Sequence, residues 1–368
     1  MATDSPDRFI RSPDDAALDD LCATLAEHSS ALDVADNDGD YPWPARQLAL
    51  CGEYGVFSWF IEASLGGQGW SDVDLARGYL RLSASCLATT FVITQRTAAC
   101  RRIAGSVNSQ LQQQLLPDLV SGASFSTVGI SHLTTSHRHL DKPVLRAEQI
   151  DSDIVLDGFT PWVTGAEHAD TIVVGASLND GRQLLAVVPT GEPGLKIDPA
   201  IKLMALSASH TGRVRFEQLR LSNDCLLAGP AENVMAQGSG AMTGGLQTST
   251  LAVGLAAGAV RFLQQEAAGR ANLAEATSSL HQQQQELEAE LLSGAAGNPT
   301  CSTEELRRRA NNLVIHCTQA ALAAAKGAGY VQGHPVGRWC REALFFLVWS
   351  CPQPVMQAHL CELAGIAE

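Results

Sequence analysis

The chain lacks what nucleic-acid binding, membrane insertion and secretion would each require. Its 25 Lys and Arg are outnumbered by 39 Asp and Glu, a formal net charge of −14. Tracking a polynucleotide needs a dense cationic face, so no nucleic-acid partner is expected. The single basic run, Arg307-Arg308-Arg309, reads as a solvated helix face. The opening MATDSPDRFI has no basic segment leading into an apolar stretch, and no secretory signal is read there. The longest apolar runs, at 251–260 and 343–349, fall short of a bilayer's thickness. The expectation is a cytoplasmic protein with no membrane span. The ten cysteines include no C-x-x-C pair, and no paired Cys/His spacing suggests zinc. Reduced, mostly buried thiols and no metal are expected. Aromatic residues are only 5% of the chain and charged ones 17%, yet 45% is hydrophobic, the composition of a folded globular protein. At 368 residues it exceeds one ordinary core, so two or three packed subdomains are expected.

Hydrophobic periodicity divides the chain in three. Over 16–120 apolar residues recur at three and four with Gly or Pro between segments, which predicts helices. Tyr41-Pro42-Trp43 precedes one of them, Gly66-Gly67-Gln68-Gly69 makes a turn, and Leu115-Leu116-Pro117 closes a helix ahead of Gly122. Over 124–228 the period shifts to two, with turn residues such as Asn179-Asp180-Gly181 between apolar runs, which predicts a β domain. Beyond Gly229 the pattern is helical again. Residues 246–269 are Ala-rich and amphipathic, and Gln282 to Gln285 continue into Leu287, Leu291 and Leu292 at helical spacing. Ser302 and Glu305 form a capping box, and Gly327 suits the C-terminal cap of the helix that follows. The boundaries read as 1–122, 123–230 and 231–368.

Within the β segment, residues 156–170 read LDGFTPWVTGAEHAD, a Gly-centred hairpin followed by a strand. Alternate strand residues share a face, so Trp162 and Thr164 point the same way, an aromatic wall beside a hydroxyl. That pairing suits a planar ligand such as a flavin ring. The residues alone also allow an ordinary hairpin with a core Trp.

This stretch resembles the acyl-CoA dehydrogenase family, whose pattern is roughly N-G-x-K-x-W-I-T-N-G-x-x-A-D. Asp157-Gly158, Trp162-Val163-Thr164 and Ala169-Asp170 fall on it in register, with Asp157, Thr160 and Gly165-Ala166 as departures. The N-terminal turn and helix endings, and the exit from 214–229, follow the same family in order. The resemblance implies an N-terminal all-α domain, a central β-barrel-like domain and a C-terminal four-helix bundle. It also implies FAD as cofactor, an acyl thioester on CoA or a carrier protein (or another small molecule) as substrate, an electron acceptor or flavin reductase as partner, and a homodimer or homotetramer. By position, Ile130, Ser131 and His132 would border the ring opposite Trp162, Val163 and Thr164. Arg270 would reach the pyrophosphate across a subunit boundary, and Gly327 and Gly329 would lie beside the adenosine half. Arg338, Arg341 and Glu342 fall on a string whose Arg and acid are expected to form a structural ion pair. The segment around His132, with His137 and His139, keeps few of the family's letters.

The family's catalytic carboxylate is missing. Such a dehydrogenase removes a proton beside a thioester while hydride leaves for the flavin, and needs a carboxylate in reach. Of the two places where family members carry that Glu, one is Ser350 here and the other is about Thr248 and Ser249. A serine without a partner base is not ionised near neutral pH. Ser350 and His132 are the candidate catalytic residues. Three readings stay open: a dehydrogenase with a non-standard base, a flavin-dependent monooxygenase on the same fold, and a non-catalytic relative used for binding or assembly.

Overall fold

The computed structural model describes residues 8–134, 144–236 and 245–366. His137 and His139 lie outside the described residues. The first helical segment comprises α1 (Ala16–His28), α2 (Ala45–Glu53), α3 (Asp72–Ser85), α4 (Leu87–Ala104) and α5 (Ser109–Ser121). In α1 the buried positions Leu18, Leu21, Cys22 and Leu25 show the spacing that buries one helix face. Ser71 caps α3 by accepting from the Asp74 N–H, and Asn108 caps α5 from Leu111. Pro117 does not end α5 as expected. Buried Leu116 and Leu119 keep the helix on the core past the proline, and it stops at Gly122, whose φ of 86° is left-handed.

The β segment is an eight-stranded mixed sheet: β1 (Ser126–Gly129), β2 (Leu145–Ile150), β3 (Asp153–Thr164), β4 (Thr171–Ser177), β5 (Gln183–Pro189), β6 (Leu195–Ile197), β7 (Thr211–Ser222) and β8 (Leu226–Ala231), with a single turn, α6 (Ser131–Thr134), after β1. The strand order is β6-β7-β3-β2-β4-β5-β8, and β1 joins β4 in parallel. The expected Gly-centred hairpin does not form, because residues 153–164 run as one strand. The β2–β3 turn is at Asp151, and Gly158 lies inside β3 at a register shift against β7. At Gly158 φ is 127° and a Cβ would lie 2.2 Å from the Val144 carbonyl oxygen, so only glycine fits this bulge. One face of the sheet carries its own core, including Leu156, Val174, Val188 and Phe216. The other is covered by α4 and α5, whose Cys100, Ile103, Leu116 and Leu119 pack on Val128, Val173 and Val187.

The chain ends in α7 (Leu246–Gly269), α8 (Ala274–Ala295), α9 (Thr303–Ala325), α10 (Pro335–Phe345) and α11 (Gln353–Ala364). α7 is long and apolar enough to cross a membrane by length and composition, contrary to the reading of its shorter runs, but 72% of its most apolar window is buried inside the protein. It is the central core helix, seated against α3: Cβ atoms on Gly254 and Gly258 would come within 2.6 and 2.8 Å of the Leu80 and Ala84 carbonyls. Ser83 Oγ donates to Leu251 O at 2.6 Å across the same crossing. The two helical segments therefore share one core.

The arginine run on α9 is not a solvated face. Arg307 is 4% exposed and donates to the carbonyls of Phe346 and Trp349, Arg308 pairs with Glu305 and Glu362, and Arg309 with Glu290. A guanidinium satisfies buried carbonyls that no helical N–H can reach. Half of the predicted capping box forms: Ser302 accepts from Glu305 N–H, while the Glu305 carboxylate turns to Arg308. The backbone at the end of α9 reverses at Lys326, φ 55°, and not at Gly327.

Candidate active site

A cavity of about 520 Å³ opens where the sheet meets both helical segments, within the usual range for a small-molecule site. Trp162 and Thr164 at the end of β3, Ile130 and Ser131 after β1, and Ser350 beyond α10 all line it. Val163 between the first two is fully buried in the sheet core, which fixes their spacing. Trp162 is 52% exposed, so its indole offers an uncovered face to the cavity. Thr164 is buried, its Oγ1 2.9 Å from that of Thr211, which lies 2.8 Å from Ser209 Oγ. Three hydroxyls in series use two protons between them. When the series runs from Ser209 toward Thr164, the third proton is available to an acceptor in the cavity.

The opposite end is apolar. Phe345 and Trp349 stack at 5.2 Å and 13°, and Phe91 of α4 meets both edge-on at 5.0 and 5.1 Å. Ser350 adjoins them with a left-handed φ of 45°, a conformation stored at few positions. Thr248 also lines the wall, and Ser249 is fully buried beside it. No Asp, Glu or His is among the described residues that line this cavity. An uncovered indole, a terminal hydroxyl donor and largely apolar walls fit an isoalloxazine ring.

His132 does not face this space. Its Nε2 donates to Gly175 O at 2.8 Å and its ring is buried against the sheet, which lowers its pKa below the usual value of 6.5 through loss of hydration. The turn of α6 directs Ile130 and Ser131 to the cavity and carries the imidazole away. Arg270, at the C-terminal end of α7, donates to Ala324 O at 2.6 Å and pairs with Glu266. Gly329 lines a second cavity of about 450 Å³ that shares Leu203, Met204, Ala205 and Arg341 with the first, whereas Gly327 faces open space. The expected ion pair is divided: Arg338 lies 3.5 Å from Glu342, both nearly fully buried, while Arg341 pairs with Asp33.

Two features escaped the sequence. Arg102 lines the cavity from α4, on the face shared by Phe91, Gln95 and Ala98 at helical spacing. That spacing is a signal the sequence carries. Glu167, His168 and His210 converge, with ligand-type atoms within 4.8 Å of one another, a geometry that could hold a metal ion. His210 bonds Glu167 through Nδ1 and donates from Nε2 to Tyr41 O at 2.7 Å, and His168 stacks on Trp43 at 4.3 Å. They clamp the helical entrance onto the sheet. Residues 42 apart along the chain carry no spacing signal.

A family model described as "Acyl-CoA dehydrogenase, N-terminal domain" matches residues 12–123. The chain is 25% identical over 246 residues to the "Probable acyl-CoA dehydrogenase YngJ" of Bacillus subtilis, covering 64% of this chain but less than two thirds, 62%, of that protein. It is 23% identical over 346 residues to the mitochondrial short-chain specific acyl-CoA dehydrogenase of Bos taurus, covering 89% of this chain and 84% of that one. The fold matches that of butyryl-CoA dehydrogenase from Megasphaera elsdenii with a TM-score of 0.76 and 16% identity, over 98% of this chain and 100% of the other. With its helical N-terminal domain, central mixed sheet and C-terminal helices, the chain has the acyl-CoA dehydrogenase fold, and its residues 12–123 match that family's N-terminal domain.

Proposed function

We propose that the protein is a flavin-dependent oxidoreductase that holds FAD against Trp162 and Thr164 and acts on an acyl thioester, on CoA or a carrier protein, without a carboxylate base in its cleft. The observation that carries this reading is the cavity itself, which joins an uncovered indole to a hydroxyl series and, among the described residues, has no acid in its wall. FAD, when bound, supplies the two-electron chemistry. Trp162, Thr164 and the Ile130-Ser131 segment would hold the ring, the indole by stacking and the Thr164 hydroxyl by hydrogen bonding. Phe91, Phe345 and Trp349 exclude water and receive the apolar part of the substrate. Ser350 stands where relatives carry their base and offers only a neutral hydroxyl, which lowers proton-transfer catalysis by about 10²- to 10⁴-fold. Arg270 and Gly329 fit a pyrophosphate and adenosine arm shared with a second subunit, in a homodimer or homotetramer. An electron acceptor or a flavin-reducing partner completes turnover.

A second reading has one specific observation in its favour. A monooxygenase that uses oxygen and an externally reduced flavin needs no base beside a thioester, and none stands in the described wall.

The experiment is to denature the purified protein, identify any released flavin, and titrate the intact protein anaerobically with a series of acyl-CoAs while following flavin absorbance. Released FAD and bleaching by an acyl thioester are expected. Protein that neither carries nor takes up flavin would leave only a binding or assembly role. FAD without bleaching, together with oxygen consumption once the flavin is reduced externally, would replace the first reading by the second.

A further inference from the structure

Among the described residues, four arginines are almost completely buried: Arg96, Arg102, Arg307 and Arg338, each at most 6% exposed. Three have partners, although Arg307 Nε and Arg338 Nη1 are also buried and unbonded. Arg96 donates to Leu119 O and Ser124 O and lies over the Phe57 ring, Arg307 donates to two carbonyls, and Arg338 faces Glu342. Arg102 has no partner among the described residues: its Nε and Nη1 are buried and unbonded, and the residue lines the cavity. Burial pushes its pKa below the ordinary value, with no anion among the described residues to oppose the shift. A buried guanidinium left without an acceptor is among the costlier features a fold can carry. It is retained where a ligand supplies the missing acceptor.

The surroundings indicate the ligand's chemistry. In a protein of net charge −14, this cavity has two arginines in its wall, Arg102 and Arg341, and no acid among its described lining. Arg341 is already engaged by Asp33. The fork of Arg102 matches the paired oxygens of a carboxylate or phosphate. Arg102 follows Phe91 by 11 residues on α4, which sets it about 16 Å along the helix from the aromatic end beside Ser350.

We propose that Arg102 is the substrate's anion-binding residue: the substrate carries an oxyanion, carboxylate or phosphate, that docks on Arg102 while its other end lies at the Phe91–Trp349 wall. The assignment rests on the reading of this cavity as the substrate cleft and adds the charge of the substrate to it.

The test uses the full-length, FAD-loaded protein and the variants Arg102→Met and Arg102→Lys. Calorimetry compares pantetheine, 4′-phosphopantetheine and succinyl-pantetheine. One of the two anionic probes is expected to bind about tenfold more tightly than pantetheine. Arg102→Met abolishes that advantage, Arg102→Lys keeps part of it, and the preferred probe identifies phosphate or carboxylate as the source. Ligand-free Arg102→Met is expected to melt no lower than the parent protein, because it removes an unpaired buried charge. The proposal is overturned if neither anionic probe gains over pantetheine, if the gain survives in Arg102→Met, or if that variant melts lower without ligand. It is also overturned if Arg102→Met weakens FAD but not riboflavin, which would give the oxyanion to the cofactor. Protein that takes up no flavin yet keeps the Arg102-dependent gain would sink the oxidoreductase reading alone. Flavin-loaded protein without the gain would sink this one alone.

Discussion

The hydroxyl of Thr164 lies 2.9 Å from that of Thr211, which is itself 2.8 Å from Ser209. Run from Ser209 toward Thr164, this series leaves the Thr164 proton for an acceptor in the cavity. Thr164→Val should weaken flavin binding by about two- to tenfold, the range of one net hydrogen bond. Thr211→Val should act through Thr164, so the double variant should lose less than the two single losses combined. Fluorescence titration with FAD measures all four proteins. Unchanged affinity in Thr164→Val would remove the hydroxyl from the binding site.

Trp162 is half exposed, so it contributes little to the core. Trp162→Ala should therefore leave stability within about 0.5 kcal/mol. Flavin affinity should fall by about tenfold, because ring stacking adds ~0.5–1.5 kcal/mol beyond contact area. Thermal melts and flavin titrations on the same preparation separate the two effects. A large drop in melting temperature with affinity intact would make the indole structural.

Ser350 lines the cavity wall, and on the proposed reading it takes the place of the family's glutamate. Ser350→Glu should speed anaerobic flavin reduction by butyryl-CoA by about 10²- to 10⁴-fold. Stopped-flow absorbance reads this directly. A rate no faster than that of the parent protein would mean that position 350 is not within reach of the thioester's α-carbon.

Acid should destabilise the protein through His132. Its folded-state pKa is depressed by burial, so above about pH 6.5 the folded and unfolded chains are both neutral at this site. As pH falls through 6.5 the unfolded chain binds a proton first, and stability declines until the folded-state pKa is passed, at up to about 1.4 kcal/mol per pH unit. His132→Asn should flatten urea-unfolding free energy between pH 7 and 5. A slope identical to the parent protein's would place the titrating group elsewhere.

Arg307 ties α9 to the segment that carries Trp349 and Ser350. Arg307→Met leaves two inward-facing carbonyls without their charged donor and should cost about 3 kcal/mol. The neighbouring Arg309→Met breaks a partly exposed pair with Glu290 and should cost less than about 1 kcal/mol. Urea titrations of both variants test the contrast. Equal losses would return Arg307 to an ordinary surface role.

The helical, β and helical thirds were legible because periodicity is local: α7 runs Leu246–Gly269, the span read from its apolar spacing. Trp162 and Thr164 were legible for the same reason, since alternation along one strand sets their common face. Where the sequence misled, a competing contact prevailed. Pro117 sits inside α5 because its neighbours are buried, Gly158 makes a bulge because Val144 O crowds it, and Arg307 is internal because carbonyls await it.

What the residues determined by themselves is the order of the elements and the neutral side chains at 350 and 248–249, both properties of a few neighbouring positions. Only the tertiary structure decided that Arg102 would be buried without a partner among the described residues, that His132 would turn to Gly175, and that Glu167 would meet His210. Each depends on surfaces brought together from distant parts of the chain, and burial and partnership are properties of that assembly, not of any segment.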